Sequence, residues 1–161
     1  MNAFWTSIEW VMGKLRIIGA ICLVGMMSLT CADVFARYFH HPIFGSVELV
    51  SIMATLAVPM ALPHTHKIGG HVGVEIVVRL LSEKTQTIIK TCTDILSLGL
   101  FALVTWRMMA YARDLQLTGE VSMNLEIPFY YVIYTTGFCL LVFTLVIFYD
   151  LVDDIRKLKG K

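Results

Sequence analysis

The sequence predicts an all-α integral membrane protein: four transmembrane helices, with an amphipathic interfacial helix between the second and the third. Three observations predict this fold class. Of the 161 residues, 57% are hydrophobic and 16% are charged, with a mean hydropathy of +0.74. Soluble domains carry about 25% charged residues. Four apolar stretches are also long enough to cross a hydrocarbon core of about 30 Å. Finally, lysine and arginine concentrate on one side of these stretches.

The four spans belong to one membrane domain covering residues 1–161. They are predicted at about residues 17–37, 43–63, 90–113 and 127–149. Asp33 is the single charge inside the first span, and Glu48 lies near the start of the second. Asp94 and Arg107 interrupt the third, whereas the fourth carries no charge. Pro63 is expected to end the second span, because proline cannot continue the hydrogen-bond ladder of a helix.

The distribution of cations predicts the orientation. Ten lysines and arginines lie before the first span, between the second and third, or after the fourth, and three lie on the other side. By the positive-inside rule, both termini and the central loop face the cytoplasm. An even number of spans agrees with this arrangement.

The central loop predicts a helix at about residues 72–81 that lies flat on the membrane. Polar side chains recur there and beyond every three or four residues: Glu75, Arg79, Glu83, Gln86 and Lys90. One polar line along an otherwise apolar helix is typical of an interfacial helix. The alternative is one long tilted helix that runs directly into the third span.

Charged residues near the outer face form a candidate site. Asp33 and Arg37 are four residues apart on one helix face, and a short turn brings Glu48 to a similar depth. Arg107 lies at a depth that allows it to join them. Ionisable groups inside a span suggest function, here a proton or ion relay. The alternative, which we favour, is a structural clasp, because the charges are shallow and of both signs.

A stripe of small residues predicts a packing face on the first span. Its members are Gly25, Ser28, Ala32 and Ala36. Small residues let helix backbones approach closely in lipid, where apolar burial does not drive association.

The histidines predict neither a haem nor a metal site, and we expect no cofactor. A haem between helices needs axial ligands that face each other inside the membrane. All five histidines lie outside the predicted spans: His40, His41, His64, His66 and His71. The four cysteines lie in apolar stretches without a CxxC motif, which zinc or thiol exchange would favour. No basic run suggests nucleic acid. The histidines are therefore expected to be polar residues at the membrane interface and not a redox centre, and no catalytic residue is expected among them.

Short motifs carry a family resemblance. Arg37 closes the first span, and Gly45-Ser46-Val47-Glu48-Leu49 opens the second. His71-Val72-Gly73-Val74-Glu75 is similar to the pattern H-I-x-V-D, and the apolar run Ile76 to Leu81 follows. With these motifs the chain resembles, over roughly residues 15–150, the small DctQ-type membrane subunit of tripartite ATP-independent periplasmic (TRAP) transporters. Glu75 stands where that family often has aspartate, and the family's tryptophan near the second span is missing.

The resemblance implies a non-catalytic scaffold in the bacterial inner membrane. In this family the small subunit packs against a large membrane subunit, which carries the substrate and sodium sites and moves like an elevator. A periplasmic binding protein delivers an organic acid, and the small subunit would help to dock it. By position, Arg37 and Glu48 would be structural residues near the docking face, whereas His71, Glu75 and Arg79 would belong to the interfacial helix.

Two other functions stay open at this point. One is a membrane-anchor or cytochrome b-type electron-transfer subunit, although it would need histidines within the spans. The other is a small exporter that couples protons through Asp33 or Glu48.

Overall fold

The computed structural model describes residues 2–67 and 83–159, and this part of the chain is helical apart from its two connections. The helices are α1 (Asn2–Tyr38), α2 (Ser46–Lys67), α3 (Glu83–Thr118) and α4 (Phe129–Lys159). Each contains a segment long and apolar enough to cross a membrane: Ile8–Tyr38, Ser46–Lys67, Ile89–Thr118 and Phe129–Val152. The predicted all-α class with four spans is therefore confirmed. The predicted interfacial helix at 72–81, with His71, Glu75 and Arg79, lies outside the described residues.

The helices form two antiparallel hairpins. Residues 39–45 connect α1 to α2, and residues 119–128 connect α3 to α4, both at one end of the molecule, which we call the loop end. The opposite end, with both termini, is the terminal end. Within each hairpin the helices pack along their length, and α2 packs on α4. The helices thus follow in the order α1, α2, α4, α3, with α1 and α3 on the outside.

A repeat of alternating four- and three-residue steps sets the packing face of α1. Its members are all buried or half-buried: Ile8, Met12, Leu15, Gly19, Cys22, Met26, Leu29, Asp33 and Ala36. Such a 3.5-residue repeat keeps one seam of a helix against its partner. At Gly19 an added Cβ would lie 3.2 Å from the Met60 Cβ and 3.3 Å from the Ala57 carbonyl oxygen. Gly19 therefore marks a close approach of the two backbones.

The small-residue stripe predicted for α1 coincides only in part with this seam. Gly25 and Ala36 are half-buried, and a Cβ at Gly25 would lie 3.5 Å from the Met53 sulfur. Ser28 and Ala32 are exposed. The stripe and the seam diverge because Ser28 and Ala32 each lie one position before a seam residue, about 100° around the helix.

The core lies between α1, α2 and α4. Its buried members are Ile8, Met12, Leu15, Met60, Cys139, Val142 and Val146. On its other side α4 packs on α3, where the Phe101 and Phe143 rings meet edge to face at 4.6 Å. Because α4 has neighbours on both sides, 50% of the residues in its most apolar segment are buried, against 6% in the corresponding segment of α3.

The helices extend beyond most of the predicted span limits, and the predicted end of the second span at Pro63 is wrong. α2 continues through Pro59 and Pro63 to Lys67. Each proline removes one backbone donor, but transmembrane helices tolerate this where neighbouring groups compensate. α3 likewise continues to Thr118, five residues beyond its predicted limit.

We expect Gly19→Leu to separate α1 from α2 and to destabilise the protein by roughly 1–3 kcal/mol, the usual cost of overpacking. Thermal unfolding in detergent would measure the loss. Gly13→Leu is the matched control, because a Cβ at Gly13 meets nothing within 4 Å. Equal melting temperatures for the two variants would contradict the close approach at Gly19.

Candidate functional site

The candidate site is the loop end, and its first part is the turn that closes α1. The His41 amide donates to the Ala36 carbonyl at 2.9 Å, and the His40 amide donates to the Arg37 carbonyl at 3.0 Å. His40 has a φ of 61°. These two bonds, together with the left-handed conformation of His40, form a Schellman motif, in which the last carbonyls of the helix are hydrogen-bonded.

Asp33 ties this turn to α1. Its side chain is buried, and the Arg37 Nε donates to Oδ2 at 2.7 Å. The Ile43 amide donates to Oδ1 at 3.0 Å, and the Ser46 hydroxyl also bonds this carboxylate. Hydrogen bonds to an ionised carboxylate are stronger than those between neutral groups. Asp33 therefore fixes both the cation beside it and the backbone that leads into α2.

Gly45 starts α2 in a conformation that favours glycine. Its φ is +72°, and its carbonyl accepts the Leu49 amide at 3.0 Å as the first helical bond. A Cβ there would lie 2.7 Å from the Leu125 Cγ. Both the backbone and the neighbouring connection therefore require glycine at this position.

The second connection, residues 119–128, folds back on itself. The Ser122 amide donates to the Ile127 carbonyl at 2.9 Å, and the Ile127 amide donates to the Ser122 hydroxyl at 3.4 Å. Gly119 and Glu126 have positive φ angles of 69° and 52°. These bonds give the connection a compact shape.

Glu48 joins the two hairpins at this end. It lies in the first turn of α2, and the Leu125 amide donates to its Oε2 at 3.0 Å. The Ser122 hydroxyl and the backbone amides of Met123 and Asn124 also hydrogen-bond this carboxylate. The positive end of the α2 dipole favours a negative charge in this first turn. No sequence pattern predicted that Glu48 binds the 119–128 connection, since Leu125 lies 77 residues further along the chain.

The four residues of the predicted charge cluster fall into separate contacts. Asp33 pairs with Arg37, whereas Glu48 binds the 119–128 connection instead. Arg107 is exposed on α3, and among the described residues it has no ion pair. It stays apart because α3 packs against α4, while the other three residues lie on α1 and α2. The carboxylates are arranged to hold backbone in place.

A second polar cluster, which the sequence did not predict, lies at the terminal end. Arg16 donates to the His64 Nε2 at 3.0 Å, and Lys67 forms an ion pair with Glu9. The His66 Nε2 lies 3.4 Å from an oxygen of Asp150. Over residues 2–67 and 83–159, no three histidine, cysteine or acidic residues are grouped as a metal site. The contacts of His64 and His66 are thus with protein side chains.

Comparison with known proteins gives one match. A sequence model for the family described as "Tripartite ATP-independent periplasmic transporters, DctQ component" matches residues 26–157. No curated protein and no solved structure matches the chain. The matched range begins within α1 and ends within α4, so it contains both connections of the loop end and the residues Asp33, Arg37 and Glu48.

We expect Glu48→Ala to release the 119–128 connection. Amide exchange at Leu125, followed by mass spectrometry, should accelerate about 10- to 100-fold, as expected for loss of a hydrogen bond to a charged acceptor. Glu120→Ala is the control, since Glu120 is exposed on the same connection. Unchanged exchange at Leu125 in Glu48→Ala would show that the carboxylate does not hold the connection.

We also expect Gly45→Ala to destabilise the protein more than Gly119→Ala. Both positions have positive φ, which costs an alanine about 1–2 kcal/mol, but only Gly45 faces a neighbour, because nothing lies within 4 Å of a Cβ at Gly119. Thermal unfolding would compare the two variants. Adding Leu125→Ala should partly restore Gly45→Ala, because it removes the clashing atoms. A double variant no more stable than Gly45→Ala would exclude the clash as the cause.

Proposed function

Because the chain belongs to the DctQ component family of tripartite ATP-independent periplasmic transporters, we propose that it is the small, non-catalytic scaffold subunit of a sodium-coupled transporter that imports an organic acid. Its partners are a large membrane subunit, against which it packs, and a periplasmic binding protein, which it helps to dock. It lies in the bacterial inner membrane with both termini in the cytoplasm, as the distribution of lysine and arginine favours.

The observation that carries this proposal is the arrangement of the helices in a row. A transporter fold brings discontinuous helices together around a site near the bilayer midplane. Here the four described spans run as continuous helices, and α1 and α3 do not pack on each other. A row of intact helices has the form of an extension to a larger membrane protein. Transport by way of a central site is therefore assigned to the large subunit.

The loop end supports a role in docking. Asp33 and Glu48 hold both connections by backbone hydrogen bonds. The connections nevertheless present large apolar side chains to the outside, with Phe44 73% exposed and Met123 98% exposed. Apolar side chains on fixed backbone give a partner a contact surface at little entropic cost. With this end on the periplasmic side, the surface faces the binding protein.

Purification and reconstitution test the proposal. A tagged copy of the chain, extracted from native membranes, should bring down a much larger multi-span protein. Liposomes that contain both membrane subunits should take up an organic acid only with sodium and the binding protein present. Liposomes with this chain alone should take up none. Solute movement by the chain alone would refute the scaffold role, and a haem Soret band in the pure chain would indicate electron transfer instead.

A further inference from the structure

Arg107 is a cation on the exposed side of an apolar helix. It follows the uncharged run 95–106 of α3, and its neighbours Leu103 and Trp106 are 58% and 74% exposed. Among the described residues no hydrogen bond or ion pair of Arg107 is found. A charged side chain inside a bilayer is costly and normally faces protein or a water-filled cavity. Exposure of this arginine therefore needs an explanation.

Contacts between α3 and α4 give the depth of Arg107. Two residues to each side, the Thr105 hydroxyl lies 3.4 Å from that of Thr144, and Met109 packs against the backbone at Gly137. Arg107 is therefore level with the stretch between Gly137 and Thr144, near the middle of the α4 span Phe129–Val152. On its own span, Ile89–Thr118, it lies about 27 Å from one end and 16 Å from the other at 1.5 Å per residue.

Arg107 points away from the other described helices, so none of them supplies its partner. Thr105 and Ala112 are buried on the side of α3 that packs on α4. Arg107 follows Thr105 by two residues, which is about 160° around a helix with 3.6 residues per turn. The guanidinium thus lies on the face opposite α4.

The other outer helix has a different surface. In the middle of α1 the exposed side includes the apolar residues Ile17, Ile21, Val24 and Met27, which are 51–65% exposed, and residues 17–32 carry no charge. Lipid tails satisfy such a face completely. They cannot satisfy the face of α3 that combines Leu100 and Leu103 with a cation, because hydrocarbon offers no acceptor. The two outer helices therefore differ in what must cover them.

We propose that the face of α3 bearing Leu100, Leu103 and Arg107 is the contact surface for the large membrane subunit, which places a carboxylate opposite Arg107 at mid-depth. The inference rests on the proposed function and adds the helix and the residue that make the contact. Arginine presents a planar fork of donors to a carboxylate, and a pair shielded from water on both sides is little screened.

Photocrosslinking tests the surface in the complex of both membrane subunits. A photoreactive amino acid is placed at Leu100 or Leu103 on α3, and at Ile21 or Val24 on α1, all of them exposed. We expect adducts with the large subunit from the α3 positions, at a yield at least fivefold above the α1 positions. Equal yields, or higher yields from α1, would overturn the inference.

Substitution of the arginine tests the charge. Arg107→Leu should lower the amount of large subunit that co-purifies at least tenfold, and Arg107→Lys should lower it less. The chain's own level in the membrane should not fall, because leucine makes the span more apolar. Arg113→Leu is the matched control, since Arg113 is exposed on the same helix nearer its end, and it should change co-purification less than twofold.

The outcomes separate the two proposals. Full co-purification of Arg107→Leu would mean that lipid headgroups satisfy the arginine, and the inference would fail while the scaffold role stands. If no large subunit co-purifies with the unmodified chain, the proposed function itself fails.

Discussion

The hydrogen bonds that Glu48 accepts from the 119–128 connection are the constraint on which the loop end depends. In sequence, the two hairpins are joined only through residues 68–82. At the loop end, Glu48 on α2 binds the Leu125 amide of the other hairpin. Apolar burial does little to hold helices together in lipid, so such polar contacts at defined positions fix how the hairpins lie side by side.

The hydrogen bonds of Asp33 and Glu48 also distinguish a structural clasp from a proton relay. The Asp33 oxygens accept bonds from Arg37 and from the Ile43 amide, and Glu48 accepts several backbone bonds. A relay carboxylate has to gain and lose a proton during each cycle. Protonation here would remove the charge that strengthens these bonds and would loosen the connections each time. The geometry therefore favours a clasp over a proton relay.

How much the sequence could predict depends on whether a property belongs to one helix or to a pair. The number of spans follows from local length and hydropathy, so it was predicted correctly. The face of α1 that packs was predicted only in part, because Gly19 becomes informative only against Met60 and Ala57 on α2. A signal was present, since Leu15, Gly19 and Cys22 follow a 3.5-residue repeat, but several small-residue stripes compete on one helix.

The charge cluster shows the same limit more sharply. Depth was predicted from position in the sequence, and the predicted end of the third span at residue 113 placed Arg107 near the depth of Asp33 and Glu48. α3 continues to Thr118, so Arg107 lies deeper than predicted. Lateral position cannot be read in this way, and α3 lies at the far side of α4 from the α1–α2 hairpin. Arg107 on α3 therefore does not meet Asp33 on α1 or Glu48 on α2. The partner of Glu48 was equally inaccessible, since backbone amides carry no sequence signature.

The two outer helices of the row, α1 and α3, expose different kinds of surface. Each outer helix packs along its length on a single neighbour among the described helices, so most of its surface must be covered by lipid or by another protein. Between its two ends, over residues 17–32, α1 has only uncharged side chains, and its charged Arg16 near the terminal end is bonded to His64. α3 carries an exposed arginine at mid-depth. Lipid solvates the first edge without cost, whereas the second edge is stable only where an acceptor meets the guanidinium. A chain with one lipid-compatible edge and one incomplete edge has the asymmetry expected of a subunit that extends a larger membrane protein on one side.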